Sequence, residues 1–334
     1  MTHLYKFLLA LLVMITGFSV DGVSQKIGLL MDSYVIDRWY IDQQLFEKKI
    51  EALGGTCVVE VPYGDPDQQV KLGKKLIDED VDVLVIIPTD AKKAIEIVGY
   101  AKNAGIPVIS YDRLILNSNI DYYISYNNIK VGKMQAQYAL KHTKGKNYLL
   151  INGPVSDNNA VQFRKGQLSV LQPYVDKGEI SIMDDIILQN WSELEALIKM
   201  DELFATMSEK PNAIIAANDA IARGVMQAMP DAKTDKLVIT GQDAELEGIK
   251  AIISETQSMT IYKPIQALAE KAAELAMHLA EDKSYKAKNV ETYTYESISV
   301  NAILLDPVLV DKSNYKETVV KDGHISLSEV MERK

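Results

Sequence analysis

One plan occurs twice in this chain. VDVLVIIPTD at 81–90 leads through a helical stretch to IPVISYDR, which ends at Arg113; AIIAAND at 213–219 leads through another to LVITGQD, which ends at Asp243. In each unit an apolar run ends in Asp or Asn, a helix follows, and a second apolar run ends in Asp. Burying an unpaired charge is costly, so a strand that runs from apolar residues into a carboxylate delivers it outside the core. In open α/β sheets the space beyond the carboxyl ends of the strands is where ligands bind. The repetition therefore implies two similar lobes, each offering polar groups to one ligand between them.

The rest of the chain follows the same alternation. KIGLLMD at 26–32 reads as a strand, then an amphipathic helix over about 39–53 stops at Gly54-Gly55, where glycine takes the left-handed cap. TCVVEVP is a second strand, and Asp65 with Pro66 reads as the N-cap and first position of the next helix. The second half restarts with NYLLIN at 147–152 and runs through helix 159–171, strand 180–188, helix 192–207 and strand 213–217 to helix 220–229 and strand 237–241. MTIYKPI at 259–265 is a short strand, Pro264 opens a helix to about Glu281, and AILLDPVLV is one more short strand. Such alternation gives parallel sheets covered by helices, here two similar lobes joined by hinge strands. The 334 residues suffice for two cores.

Composition removes several rivals. A net charge of -10, with no basic cluster, argues against nucleic acid. The single cysteine, Cys57, permits no intramolecular disulfide and reads as a buried small hydrophobe in its strand. His3, His142, His278 and His324 show no metal-ligand spacing, and no cofactor is expected. At the N-terminus Lys6 precedes FLLALLVMITGFSV, an apolar run of signal-peptide length with small residues at Gly17, Ser19, Gly22 and Ser24. Residues 1–24 are expected to be a signal peptide, with an uncleaved anchor as the alternative; either way the folded part lies outside the cytoplasm, in the periplasm.

The candidate binding groups share one placement, at or just past the carboxyl end of a strand. Arg38 and Trp39 follow the first strand, Asp90 the third, Asp112 and Arg113 the fourth. Asp157, Asn158 and Asn159 follow NYLLIN, Trp191 follows the next strand, and Asn218 with Asp219, then Asp243 and Lys263, complete the set. Each has a plain alternative: Asp65, Asp157, Asn158 or Asp219 as helix caps, Arg38 and Arg113 in surface ion pairs, Trp39 and Trp191 as core aromatics. Packing does not explain Asp112-Arg113 after so apolar a run. Asp112 and Asp243 occupy matching ends of the two units and are expected to grip one ligand from opposite sides; Asp90 is the weaker position, and Asp219 yields to Asn218.

Carboxylates, amides and guanidinium groups hydrogen-bond neighbouring hydroxyls, while an indole covers the C–H face of a sugar ring. The set suits a neutral polyhydroxylated ligand. A phosphorylated one would call for a glycine-rich loop, and neither GxGxxG nor GxxxxGK[ST] occurs.

DRW at 37–39, VDVLVIIP at 81–88, YDR at 111–113, DYYISYNN at 121–128, SDNNA at 156–160, FRKGQ at 163–167, PYVDKGEI at 173–180, AANDA at 216–220, GQDAELEGIK at 241–250, TIYKPI at 260–265 and TVVKDG at 318–323 carry a resemblance over nearly the whole mature chain. The sequence resembles the periplasmic sugar-binding proteins of bacterial ABC importers. The resemblance implies the type I periplasmic-binding fold closing on a monosaccharide, a pentose such as xylose favoured, and a membrane permease or an envelope sensor kinase as partner. It places Arg38, Trp39, Asp112, Arg113, Asn158, Arg164, Trp191, Asn218, Asp243 and Lys263 around the sugar; Arg164 enters on the resemblance alone. It divides the chain into a first lobe of 26–126 with 264–294 and a second of 127–263 with 295–325, hinged near Asn127, Lys263 and Thr294. Three positions depart from the pattern: no aromatic or Asn after Pro88, Tyr126-Asn127 for the usual Phe-Asp, and Gln189-Asn190 for Asp-Gly before Trp191.

The expectation is binding without chemistry. A sugar hydrolase would need two carboxylates flanking a bond, which the Asp residues could supply. A sugar-responsive repressor would carry a basic helix-turn-helix ahead of Lys26, where this chain is apolar. A subunit presenting its ligand to a sensor differs only in its partner.

Overall fold

The computed structural model describes residues 24–34, 38–229, 237–295 and 298–332. The expected signal peptide and the segment 230–236 before the strand at Val238 fall wholly or almost wholly outside them.

The first lobe is built on a seven-stranded sheet. Its strands are β1 (Lys26–Leu30), β2 (Thr56–Glu60), β3 (Val83–Ile86), β4 (Val108–Tyr111), β5 (Tyr122–Tyr126), β11 (Glu291–Tyr295) and β12 (Ile298–Leu305), in the order β11-β12-β5-β4-β3-β1-β2. All pairings are parallel except β11 with β12. β3, β4 and β5 are buried throughout, which is why they read as unbroken apolar runs. Helices α1 (Arg38–Ala52) and α9 (Ile265–Glu281) cover one face, where Trp39, Phe46, Leu268 and Ala272 meet Leu29 and Val85. Helices α2 (Pro66–Asp78) and α3 (Ile95–Asn103) cover the other through Leu76 and Ile97 against Leu30 and Ile86. The expected punctuation holds: Gly54 is left-handed at φ 85°, and Asp65 caps α2, accepting from the N–H groups of Asp67 and Gln68 with Pro66 in the first turn.

The second lobe repeats the first. Strands β6 (Asn147–Asn152), β7 (Ser181–Ile187), β8 (Ala213–Ala216) and β9 (Val238–Ile239) lie in the order β7-β6-β8-β9, the same order as β2-β1-β3-β4. Helices α4 (Asn128–His142) and α5 (Asn158–Asp176) cover one face, with Ala136, Ala139 and Leu171 on Tyr148 and Leu150. Helices α6 (Glu193–Thr206) and α7 (Asp219–Ala228) cover the other, with Met200 and Val225 on Leu149 and Ile151. β10 (Met259–Tyr262) and β13 (Val308–Asp311) form an antiparallel pair beside helix α8 (Leu246–Ile253). A π-helical turn at Lys316–Val320 and the short helix α10 (Leu327–Met331) complete the chain.

The chain crosses between lobes at three adjacent places: after β5 at Asn127, after β10 at Lys263-Pro264, and between β12 and β13 at Asp306-Pro307. Asn127 N–H donates to Leu305 O at 3.0 Å, and the Tyr126 hydroxyl to Pro264 O at 2.7 Å, so the crossings are tied together. This corrects the sequence reading in one respect. Residues 298–305 belong to the first sheet, 302–305 of them paired with β5, although 295–325 was assigned to the second lobe, and Thr294 lies in edge strand β11, away from any crossing. AILLDPVLV is accordingly two strands in two sheets, broken at Asp306-Pro307, where proline has no N–H for a ladder.

Candidate functional site

Asp112 directly follows β4 and Asp243 lies four residues past β9, both in left-handed backbone, at φ 58° and 90°. Each turns back in the same way: Asp112 N–H donates to Ile124 O in β5 and Asp243 N–H to Ile261 O in β10, both at 2.8 Å. A non-glycine residue at positive φ is uncommon, and Asp and Asn are the side chains that tolerate it best. The turn aims each carboxylate across the cleft rather than along its own sheet.

They meet around Arg38 at the start of α1. Its guanidinium lies 3.1 Å from Asp112 Oδ2 and 3.9 Å from Asp243 Oδ1, and Nε is held by Asp42 Oδ2 at 3.1 Å, one helical turn on. Asp42 also accepts from the Tyr111 hydroxyl. Lys263, at the second crossing, places Nζ 3.5 Å from Asp243 Oδ1. Burial alone would push the Asp112 carboxyl up, but Arg38, Lys263 and Arg113 outweigh it and hold the group below the usual carboxylate value. Burial works equally against charge on Arg38, where Asp112 and Asp42 more than compensate.

A second cluster binds lobe to lobe. Arg113 donates Nη1 to Asp32 Oδ2 on its own lobe and sets Nε against Asp157 Oδ2 of the other, both at 2.9 Å. The same Asp157 oxygen accepts Trp191 Nε1 at 3.0 Å, while its other oxygen caps α5 at Asn159 N–H. Asn159 Nδ2 donates to Asp112 Oδ1 at 2.9 Å across the cleft. With Ala91 N–H on Ser156 O at 3.3 Å, these contacts show the lobes closed on each other.

Between the clusters lies a small cavity of about 30 Å³, well under the volume of a ligand pocket, so the side chains that line it are drawn together. Arg38, Trp39, Asp112, Arg113, Trp191, Asn218, Asp243 and Lys263 line it, eight of the ten residues expected from the sequence, and Asp157, Asn159, Phe163 and Gln242 complete the wall. Trp39 Nε1 and Gln242 Oε1 are buried without a hydrogen-bond partner among the described residues, and Asp112 Oδ2 has its ion pair but no directed hydrogen bond. Of the buried side-chain atoms without a partner, these three are the ones whose residues line the cavity, where a hydrogen-bonding ligand can reach them.

Asn158 and Arg164 are not brought to the cavity. Asn158 faces Gln162 and Tyr293, and Arg164 pairs with Asp185 at 2.8 Å on the outer side of the lobe. Successive helical residues point about 100° apart, so the residue after Asn158 faces the cleft, one turn before Phe163. That i,i+4 match was the available signal. Asp90 caps the turn at Lys92 and Lys93.

Asp219 is structural. It is fully buried, accepts from Gln257 Nε2 at 2.7 Å, Thr260 Oγ1 at 3.1 Å and Glu245 N–H at 2.9 Å, and so ties α7 to the Asp243 turn. Asparagine there would turn an NH2 toward one set of donors. Asp219→Asn is expected to lose about 1–3 kcal/mol in urea unfolding.

His324 rests against the same turn, its Nε2 3.1 Å from Ala244 O and its ring 4.8 Å from that of Tyr262. Burial lowers its pKa below the ordinary imidazole value, so the unfolded chain takes up the proton more readily than the folded one. Its contribution to stability is complete above about pH 6.5, the unfolded value, and is lost as pH falls toward the lower folded value. Between pH 7.5 and 5.5, His324→Gln should lose less melting temperature than the parent.

Two lobes of one strand order, three crossings and a polar cavity between matching strand ends define a cleft-closing binding protein. Residues 27–284 match the periplasmic binding protein domain family, and the chain belongs to it. The resemblance read from the sequence and the α/β two-lobe fold class are thus borne out. The chain is 40% identical over 95% of its length, and 96% of theirs, to the D-xylose-binding periplasmic proteins of Haemophilus influenzae and Escherichia coli. It is 33% identical to the multiple sugar-binding periplasmic receptor ChvE of Rhizobium radiobacter, over 89% of this chain and 90% of that one. Among solved structures, an ABC transporter solute-binding protein of Clostridium phytofermentans with bound β-D-glucose superposes with a TM-score of 0.84 at 29% identity, covering 92% of this chain and 100% of that one. No helix among the described residues is long and apolar enough to cross a membrane.

Proposed function

We propose that this protein binds one monosaccharide, D-xylose foremost, in the periplasm and delivers it to the permease of an ABC importer, without transforming it. The observation that carries the reading is the meeting of Asp112 and Asp243, from matching ends of the two units, about the Arg38 guanidinium in one cavity. Both carboxylates accept ligand hydroxyls, Arg38, Arg113 and Lys263 donate to them, and the indoles of Trp39 and Trp191 cover the ring. The 40% identity to D-xylose-binding proteins over nearly the full chain supports the pentose. Ligand engages one lobe of an open form and is enclosed as the three crossings rotate the other onto it.

A thermal-shift screen against pentoses and hexoses tests this. Ligand at about 1,000 times Kd adds about 4 kcal/mol by mass action, so D-xylose should raise the melting temperature by several degrees and most other sugars by less. A panel without any shift overturns the reading. The likeness to a protein named a receptor supports a second partner, an envelope sensor. Capture from membranes in the presence of xylose separates permease from sensor.

A further inference from the structure

Trp191 stands between two hollows of the cleft. It lines the cavity with Asp112 and Asp243 and, together with Arg113, Asp157 and Asn218, also lines a larger chamber beside Thr89, Gln189 and Asn190. The indole is fixed on several sides. Its Nε1 donates to Asp157 at 3.0 Å, and its ring meets that of Phe163 edge-on at 6.3 Å. The segment carrying it is pinned by Glu195, whose carboxylate accepts from the N–H groups of Gln189 at 2.7 Å and Asn190 at 3.0 Å.

The far end of the indole lies on Gly153, just past β6. A Cβ built at Gly153 would sit 2.5 Å from Trp191 Cη2 and 2.6 Å from Cζ2 and Cζ3, closer than atoms approach. Gly153 is not among the glycines at positive φ, so its backbone admits any residue. The three atoms nearest to it all belong to the indole.

We propose that the missing side chain of Gly153 seats Trp191 as a partition between cavity and larger chamber, and so limits the ligand to a single unsubstituted sugar ring. The proposal rests on the sugar-binding reading above. With Nε1 held by Asp157 and the loop by Glu195, a methyl group at 153 drives the benzo end of the indole off its seat. Stacking on the sugar's C–H face is lost and the partition breaks. A substituent projecting from a seated ring toward the larger chamber meets the indole, whereas a free monosaccharide does not.

Calorimetric titration of the parent, Gly153→Ala, Trp191→Phe and the double variant with D-xylose and with β-1,4-xylobiose tests this. The parent should bind xylose at least about 100-fold more tightly than xylobiose, and Gly153→Ala should lose about tenfold on xylose. In the Trp191→Phe background the same change should cost less than about twofold, because the shorter ring lacks the atoms that the methyl meets. Equal losses in both backgrounds, or a parent that binds both sugars alike, overturn the proposal. A sugar-free measurement separates the two readings, since Trp39 and Trp191 are the only tryptophans. In a Trp39→Phe background Gly153→Ala should red-shift Trp191 emission and increase its quenching by acrylamide. Unchanged emission and quenching overturn the seating; altered emission in a protein whose parent binds no sugar supports the seating and overturns the functional reading instead.

Discussion

Asp243→Asn is expected to lower sugar affinity by at least about 100-fold while the protein remains folded. A carboxylate that accepts two ligand hydroxyls contributes about 1.5–3 kcal/mol for each charge-assisted bond, and 2.7 kcal/mol is already two orders of magnitude in Kd. Asparagine is the informative replacement because Asp243 has φ 90°, a conformation it tolerates and alanine does not. Alanine would add backbone strain of about 1 kcal/mol or more to the loss of charge and confound the two. The substitution also removes the carboxylate 3.5 Å from Lys263, which is only 5% exposed, so the melting temperature should fall by a few degrees. Arg38 retains Asp42 and Asp112. Calorimetric titration with D-xylose, paired with a thermal melt, reads both effects; unchanged affinity would remove Asp243 from the site.

The largest effect on stability is expected at Gly132, where α4 crosses α5. A Cβ at Gly132 would fall 1.9 Å from Phe163 O, and one at Gly166, across the crossing, 2.2 Å from Ile129 O. These are backbone atoms of the facing helix and have no rotamer with which to move aside. The helices must separate, which pulls Asn159 and Phe163 from the cavity wall. Gly132→Ala is expected to cost at least about 3 kcal/mol, beyond the usual overpacking cost, and to lower the melting temperature by roughly 10 °C. Gly99 in α3 is the control: it too lies in a helix, but nothing stands within 4 Å of its added Cβ. There alanine should stabilise by about 0.5–1 kcal/mol, since glycine is the poorer helix former. A Gly132→Ala protein as stable as the parent would disprove the close approach.

The cleft was legible where a buried strand runs into a polar residue, because only a ligand or a partner across the cleft repays that placement. Asp112, Arg113, Asn218 and Asp243 were found in this way, and all line the cavity. Where the candidates lay on a helix, sequence was a poorer guide. Asn158 and Asn159 are chemically identical neighbours, and the choice between them depends on how α5 is rotated against α4. The exit of the chain from the first sheet was missed for a related reason. β11 is a half-exposed strand at the sheet edge and β12 is its half-exposed neighbour, and whether such a strand joins one lobe or the other is set by its pairing.

By itself the sequence determined the two-lobe α/β plan, its punctuation at Gly54, Asp65 and Pro66, and the polar strand ends facing a common cleft. These follow from local rules: apolar runs, caps, and the cost of burying a lone charge. Tertiary structure decided that Asp219 is a buried anchor and Asp243 a cleft carboxylate, that Asn159 rather than Asn158 reaches Asp112, and that Gly132 and Gly153 have no room for a methyl group while Gly99 does. Each of these depends on what a distant part of the chain places, or does not place, against the residue. Distances of that kind are fixed only when the sheets and helices have packed.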